Sequence, residues 1–394
     1  MKRRWGTAWL ATVMSLALLA GCGQIRETGE LAAEEETGSE QETIEKVEEV
    51  SEETKELAEI KAAVFYFTYE DIYISSVRTA LNELLDELGV TYWNFDGNND
   101  QTTQNEQIDV ALSQGADILI VNIVTPDTPE ISREIVHKAK EADIPVIFFN
   151  RSVEKAEEEG AVLTSYEKSV FVGTNAPQAG HIQGKMIGEY LVKNYSATDL
   201  NGDGIIQYAM LMGEEDNTEA IARTRYSVED ANELLINAGK PELEYFDALR
   251  SDKYQADSKG AWSEAAGYTY MVDNLIQFNE ANGNMIELII CNNDEMARGA
   301  IKALNETGYN LGKDESITIP IFGVDAVEAA VSLIREGKMT GTVKQDAGAM
   351  AEAVAQLVAN TAREEDLMAN LEDFTVDTEK GNKISVLYEA YTGK

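Results

Sequence analysis

Asp199, Asn201 and Asp203 alternate with small or apolar residues, so their side-chain oxygens can converge on one point. Gly204 permits a sharp turn, the carbonyl of Ile205 can face inward, and Gln207 offers a further oxygen. This is the opening of an EF-hand type calcium loop. Hard calcium takes six to eight oxygens, and the run supplies only about five. The place where such a loop carries a bidentate glutamate is Met210, which cannot bind. Either a remote carboxylate completes the shell or the run is an Asp/Asn/Gly turn. No pair of flanking helices is evident, which argues against a calcium sensor.

Other chemistry is sparse. His137 and His181 are the only histidines, and they sit in separate amphipathic segments. Cys291 lies in the apolar run Ile286–Cys291, where a buried, inert thiol is expected. No dinucleotide fingerprint, phosphate loop, nucleophile elbow or zinc motif is present.

The elements that position these residues alternate. Val64–Phe67 reads as a strand, and Asp71 opens a helix with Ile74, Val77, Leu81, Leu84 and Leu88 on one face. Strands near Val90–Phe95, Ile118–Asn122 and Val146–Asn150 follow, separated by amphipathic helices. A second series has strands near Phe171–Val172, Gln207–Met212, Leu243–Phe246, Ile286–Cys291 and Ile319–Val324. Continuous apolar strands between amphipathic helices indicate α/β architecture, with parallel sheets covered on both faces and two doubly wound, Rossmann-like domains. Ligands bind beyond the carboxyl ends of such strands. Asp71, Asn122, Asn293 and Asp325 stand there, and their carboxylates and amides suit a hydroxyl-rich ligand.

Composition bounds the rest. Lys2, Arg3 and Arg4 precede an uncharged apolar run ending at Cys22, so residues 1–22 read as a secretory signal. Leu19–Cys22 resembles a bacterial lipobox, which implies a lipid on Cys22; the alternative is a short transmembrane anchor. Residues 23–60 form an acidic tether: Glu27 to Glu59 holds 14 Glu, with Lys46 and Lys55 and no aromatic residue. Such a segment cannot bury enough apolar surface to offset ordering entropy. The net charge of −39 excludes nucleic acid and leaves the lipid, not surface charge, to hold the body at a membrane.

The runs Tyr69–Tyr73, Asp96–Gln101, Ile147–Asn150, Val172–Asn175, Asp199–Gln207, Ala222–Tyr226, Cys291–Asp294 and Phe322–Asp325 resemble, in order, those of the galactose/glucose-binding proteins. These are extracytoplasmic receptors of sugar ABC transporters, and the similarity is collinear from about Val64 to Tyr388. The resemblance implies the type I periplasmic binding protein fold, with two domains joined by three hinge crossings and a sugar in the cleft. It also implies that Glu287 supplies the missing carboxylate, so that Asp199, Asn201, Asp203, Ile205, Gln207 and Glu287 hold calcium. Asp71 and Asn122 match the sugar ligands of the N-terminal domain, and Arg223, Asn293 and Asp325 those of the second. Tyr73 and Trp262 match the two aromatics that sandwich the pyranose. Three matched positions depart: Asn217 replaces a histidine, Glu219 an aspartate and Gln345 an asparagine. The chain is also longer around Leu249–Lys259.

The expected protein is a lipid-anchored, monomeric, non-enzymatic receptor that closes on a monosaccharide, D-galactose or D-glucose, and hands it to a permease. Its N-terminal domain would be 61–145 plus 346–380 and its C-terminal domain 146–345 plus 381–394, with crossings near Pro145, Gln345 and Gly381. Rivals are a receptor for another aldose such as a pentose, a chemosensory receptor, and an exported metal-dependent hydrolase at Asp199.

Overall fold

The computed structural model describes residues 60–155, 158–313 and 315–393; the expected signal, Cys22 and nearly all of the tether lie outside them. The first strand, Lys61–Tyr66 (β1), sends alternate side chains to two apolar layers: Ala62, Val64 and Tyr66 to one, Ala63 and Phe65 to the other. A strand apolar on both faces needs helices on both faces. These are Ile72–Glu87 (α1), Gln101–Ser113 (α2) and Pro129–Glu141 (α3), which alternate with Thr91–Asp96 (β2), Ile118–Val121 (β3), Val146–Phe149 (β4) and Ser169–Thr174 (β5).

The second half runs Ala176–Thr198 (α4), Gln207–Met212 (β6), Thr218–Asn237 (α5), Glu244–Tyr245 (β7), Gln255–Ala256 (β8) and Glu264–Gln277 (α6). Leu288–Cys291 (β9), Asp294–Glu306 (α7), Ile321–Asp325 (β10), Glu328–Glu336 (α8) and Gly341–Gln345 (β11) complete it. The chain then returns through Ala347–Ala362 (α9), Thr375–Asp377 (β12), Asn382–Val386 (β13) and Tyr388–Tyr391 (β14).

Two seven-stranded sheets result, one ordered β12-β13-β5-β4-β3-β1-β2 and the other β14-β11-β10-β9-β6-β7 with β8 also on β6. Both are parallel except at β12 and β14, which pair antiparallel with β13 and β11. The order reverses between β1 and β3 in one sheet and between β6 and β9 in the other, which makes a switch point in each.

Sheet membership moves two of the expected hinge crossings. β4 does not begin the second domain at Pro145: Val146–Phe148 pairs with β3, and Val146–Phe149 with β5. Phe171–Val172, read as opening the second series, is the middle of β5 in the first sheet. β13, beyond Gly381, also belongs there, pairing in parallel with β5. The crossings are therefore Thr174–Ala176, Gln345–Ala347 and Val386–Tyr388. Among the described residues between β4 and β5 a short 3-10 turn, Leu163–Ser165, stands and no crossover α-helix. That break in the alternation is what imitates a domain boundary in the sequence.

Candidate functional site

Chain at the carboxyl ends of β1 and β4 in the first sheet, and of β6, β8, β9, β10 and β11 in the second, carries the residues that face each other across a cleft. Phe67, Asp71, Tyr73, Ile74, Asn150 and Arg151 line it from the first lobe. Asn217, Glu219, Arg223, Trp262, Asn293, Asp325 and Gln345 line it from the second. A wider hollow, along Pro126–Thr128, Glu214–Asp216 and Arg250–Gly260, lies outside this cleft and contains none of the sequence-derived ligands.

Helix starts set much of the geometry. Asp71 caps α1 through Oδ1, which accepts from the Ile74 N–H at 2.8 Å. Asn217 caps α5 in the same way, and its Nδ2 donates to Glu214 Oε2 at 3.2 Å. Asn293 caps α7 and donates through Nδ2 to the Trp262 carbonyl at 2.9 Å. Trp262, only 8% exposed, lies so close against Gly213 that a Cβ there would fall 2.1 Å from the indole. Asp257 fixes the turn before it by accepting from the N–H and hydroxyl of Ser263. Trp262, Asp325 and Ala326 adopt φ of 53°, 120° and 57°. Such backbone costs of order 1–3 kcal/mol per residue and persists where the surroundings over-determine it, often at binding sites.

Arg223, one turn beyond Glu219 on α5, is the hub. It is 4% exposed, donates to the Asn292 carbonyl at 2.9 Å, and brings Nη2 to 2.9 Å from Glu219 Oε2. The same nitrogen is 3.2 Å from Gln345 Oε1 and 2.8 Å from the Tyr388 hydroxyl. That hydroxyl donates to Glu219 Oε2 at 2.9 Å, while the Thr174 hydroxyl donates to Glu219 Oε1 at 2.5 Å. Thr174, Gln345 and Tyr388 stand at the three crossings, so one cluster of site residues touches every hinge segment.

Asn122, expected as a direct ligand, is not among the residues that line the cleft. It is fully buried behind the cleft wall, and its amide is committed to the Phe67 N–H, the Phe149 carbonyl and Asn150. Strand-end position cannot distinguish a side chain that faces the cleft from one that braces the next strand. Phe67, Asn150, Arg151 and Tyr388 escaped the sequence reading. Tyr388 belongs to a strand end matched only as the limit of similarity, and Arg151 carried no motif of its own.

Burial raises the pKa of Asp71, with Ile74 N–H and Arg151 working against the rise. Asp325 lies well above the ordinary carboxylate range because of burial, which Arg223 opposes and Asp294 and Asp71 reinforce. Burial works against the charge of Arg223, but Tyr388, Glu219 and Asp325 more than offset it and hold the guanidinium protonated. Three buried donors on side chains that line the cleft find no hydrogen-bond partner among the described residues: Arg151 Nε, Arg223 Nε and Gln345 Nε2. Unpaired buried donors each cost roughly 1–3 kcal/mol, so the cleft is built for a ligand rich in acceptor oxygens.

The Asp199 loop does meet Glu287. Oε1 of this fully buried carboxylate accepts from the Leu200 and Asn201 N–H groups at 2.5 and 3.0 Å, and Oε2 from the Gln207 N–H at 3.2 Å. Asn201 Nδ2 stands 3.1 Å from both Asp203 Oδ2 and Gln207 Oε1. No ion pair among the described residues involves Asp199, Asp203 or Glu287. Nor is any group of three or more His, Cys, Asp or Glu gathered as a metal cluster among them. The amides of Asn201 and Gln207 stand between the carboxylates, and rotating both by 180° would turn oxygen inward in place of nitrogen. An oxygen-only set free of cations fits a hard divalent ion.

The family described as periplasmic binding protein domain matches residues 62–366. The chain belongs to this family. It is therefore a binding protein of the transport type, not an enzyme, and its family implies a place outside the cytoplasm. No helix among the described residues is long and apolar enough to cross a membrane. This periplasmic binding protein is 34% identical over 308 residues to the D-galactose/methyl-galactoside binding periplasmic protein of Haemophilus influenzae, covering 78% of this chain and 82% of that one. It is 26% identical over 280 residues to a putative rhizopine-binding protein of Rhizobium meliloti, covering 71% and 77%. Its fold matches an ABC transporter solute binding protein of Clostridium phytofermentans crystallised with β-D-glucose, with a TM-score of 0.62 at 20% identity, over 84% and 94% of the two chains.

Proposed function

We propose that this periplasmic binding protein captures a D-hexose, D-galactose or D-glucose, between its lobes and delivers it to the permease of an ABC importer. The observation that carries the reading is the set of unpartnered buried donors, Arg151 Nε, Arg223 Nε and Gln345 Nε2, in a cleft that also holds Asp71, Glu219 and Asp325. Sugar hydroxyls accept from the first set and donate to the second, and hydrogen bonds to charged groups are worth about 1.5–3 kcal/mol each. Trp262 and Tyr73 give flat apolar faces for the C–H surface of the ring. The H. influenzae relative, named for D-galactose, favours a hexose. Ligand contacts to both lobes would shift the population toward the closed form that a transporter recognises.

The Asp199 loop with Glu287 is proposed to hold a structural calcium ion, and Cys22 to carry a lipid that tethers the body to the membrane. The ion would supply charge that the three carboxylates otherwise lack. Intrinsic fluorescence tests the sugar reading. Among the described residues only Trp93 and Trp262 are tryptophans, and Trp93 lies on β2 away from the cleft. Adding D-galactose or D-glucose should change the emission, and Trp262→Phe should remove most of the change. An equal change in that variant would place the sugar elsewhere.

A further inference from the structure

The hollow beside the cleft has a volume of about 1220 Å³, against roughly 300–1,000 Å³ for the site of a drug-sized ligand. Both lobes line it, Thr125–Thr128 and Lys155 from the first, α5 and Tyr254–Gly260 from the second. Helix α5 serves both spaces. Glu219 and Arg223 put one face of its first turns on the cleft, and Thr218, Ala222 and Arg225 put the next face on the hollow. Between the two stands Glu214, which lines the hollow while its Oε2 accepts from two cleft residues, Arg151 at 2.7 Å and Asn217 at 3.2 Å. The Glu214 side chain is 26% exposed and belongs to the connection from β6 to α5, so it can turn without moving a strand.

Much of the outer wall comes from the stretch that makes this chain longer than the galactose/glucose-binding proteins. Within it β8 pairs with Leu211–Met212 and extends the edge of the second sheet past β7, which covers only Gln207–Tyr208. Tyr254, just before β8, and Tyr270 of α6 both line the hollow, with their hydroxyls held by Glu215 at 3.4 Å and the Ala256 carbonyl at 2.5 Å. Each thus brings an apolar ring whose polar end is already paired. Asp127, Glu215, Arg225 and Lys259 mix both signs of charge around them. A phosphate or a bare cation would be repelled by two of these four, whereas hydroxyls, which donate and accept, suit all of them.

We propose that the hollow is a second carbohydrate subsite, which takes the neighbouring unit of a hexose glycoside whose first ring fills the cleft, and that Glu214 turns aside to admit the glycosidic link. This inference rests on the cleft being a hexose site, and it widens the substrate class from a free hexose to a disaccharide. Glu214 and Arg151 then each exchange the other for oxygens of the link or the second unit, so neither charge is left unpaired. A free hexose leaves the partition as it stands.

Calorimetric titration of wild type, Tyr254→Ala and Ile221→Trp tests this, with D-galactose, D-glucose, lactose, melibiose, cellobiose and maltose as ligands and a melting curve for each protein. Ile221 lines the hollow and is 49% exposed, so tryptophan there fills the space from a surface position of α5. At least one disaccharide should bind wild type within tenfold of the better hexose. Both variants should weaken that disaccharide about tenfold or more and leave the hexose within about twofold. Hexose binding with no heat from any disaccharide at millimolar concentration overturns the subsite, as does a disaccharide affinity unchanged in both variants. Should one variant fail to fold, the other decides. A wild type that binds neither hexose nor disaccharide would instead remove the function on which this rests.

Discussion

Asp325→Ala should weaken hexose binding by about 5- to 150-fold, the equivalent of roughly 1–3 kcal/mol for buried partners left unpaired. Arg223→Ala should cost at least as much, because it also strands Glu219 and the Asn292 carbonyl. Titration of each variant with hexose checks both, and a loss of less than threefold in either would place the ligand away from α5 and β10. Much of the site could be read from the sequence because its residues occupy helix caps and strand ends, where polar side chains among apolar runs stand out. Asp71, Asn217 and Asn293 cap helices, and Asp325 ends a strand. Asn122 has the same signature yet faces the neighbouring strand, since pleat direction at a strand end is decided by the partner it braces. Arg151 was silent for the opposite reason. A lone arginine after a strand reads as a surface charge until the fold lays Phe67 beneath it and Glu214 opposite.

At the level of elements, the alternation of strand and helix disclosed both sheets, but not where the chain passes between them. β5 and β6 present the same kind of apolar run, and only pairing with β4 assigns β5 to the first lobe. The hinge is also where site and motion meet. Tyr388→Phe removes the hydroxyl shared by Arg223 and Glu219 while keeping the ring, so it should weaken the hexose about tenfold and leave a larger radius of gyration at saturation. Small-angle scattering that shows wild-type compaction in this variant would uncouple the crossing from the cleft. The calcium loop makes a separate prediction, because it ties the segment before β6 to the start of β9. An ion at a hundredfold excess over its Kd stabilises the fold by about 2.7 kcal/mol. Chelator should therefore lower the melting temperature of the wild type, and Glu287→Ala should melt lower in calcium and no longer respond to chelator. A wild-type melting curve indifferent to chelator would reduce Asp199–Gln207 to a turn.

Over the whole molecule, the large acidic excess and the buried carboxylates make stability depend on pH. Asp294 is fully buried, accepting from the Thr342 hydroxyl at 2.7 Å and the Val327 N–H at 3.0 Å. Burial raises its pKa above the ordinary 3.8, and those two bonds offset only part of the rise. The folded form therefore holds a proton that the unfolded chain has lost, so this contribution is complete below about pH 4 and fades as pH climbs toward neutrality. Urea titrations at steps through that window should show stability falling, and Asp294→Asn should flatten the slope; an equal slope in the variant would assign it to other groups. The proposed closure would turn on the geometry at this scale: two lobes, three crossings, and one cluster touching all of them. The most direct measurement is a calorimetric titration of the ligand-free protein with D-galactose and D-glucose beside a pentose. One-site heat with a Kd in the micromolar range or tighter for a hexose, at least tenfold weaker for the pentose, is the predicted result. Absence of heat from every sugar at millimolar concentration would contradict the account of the cleft.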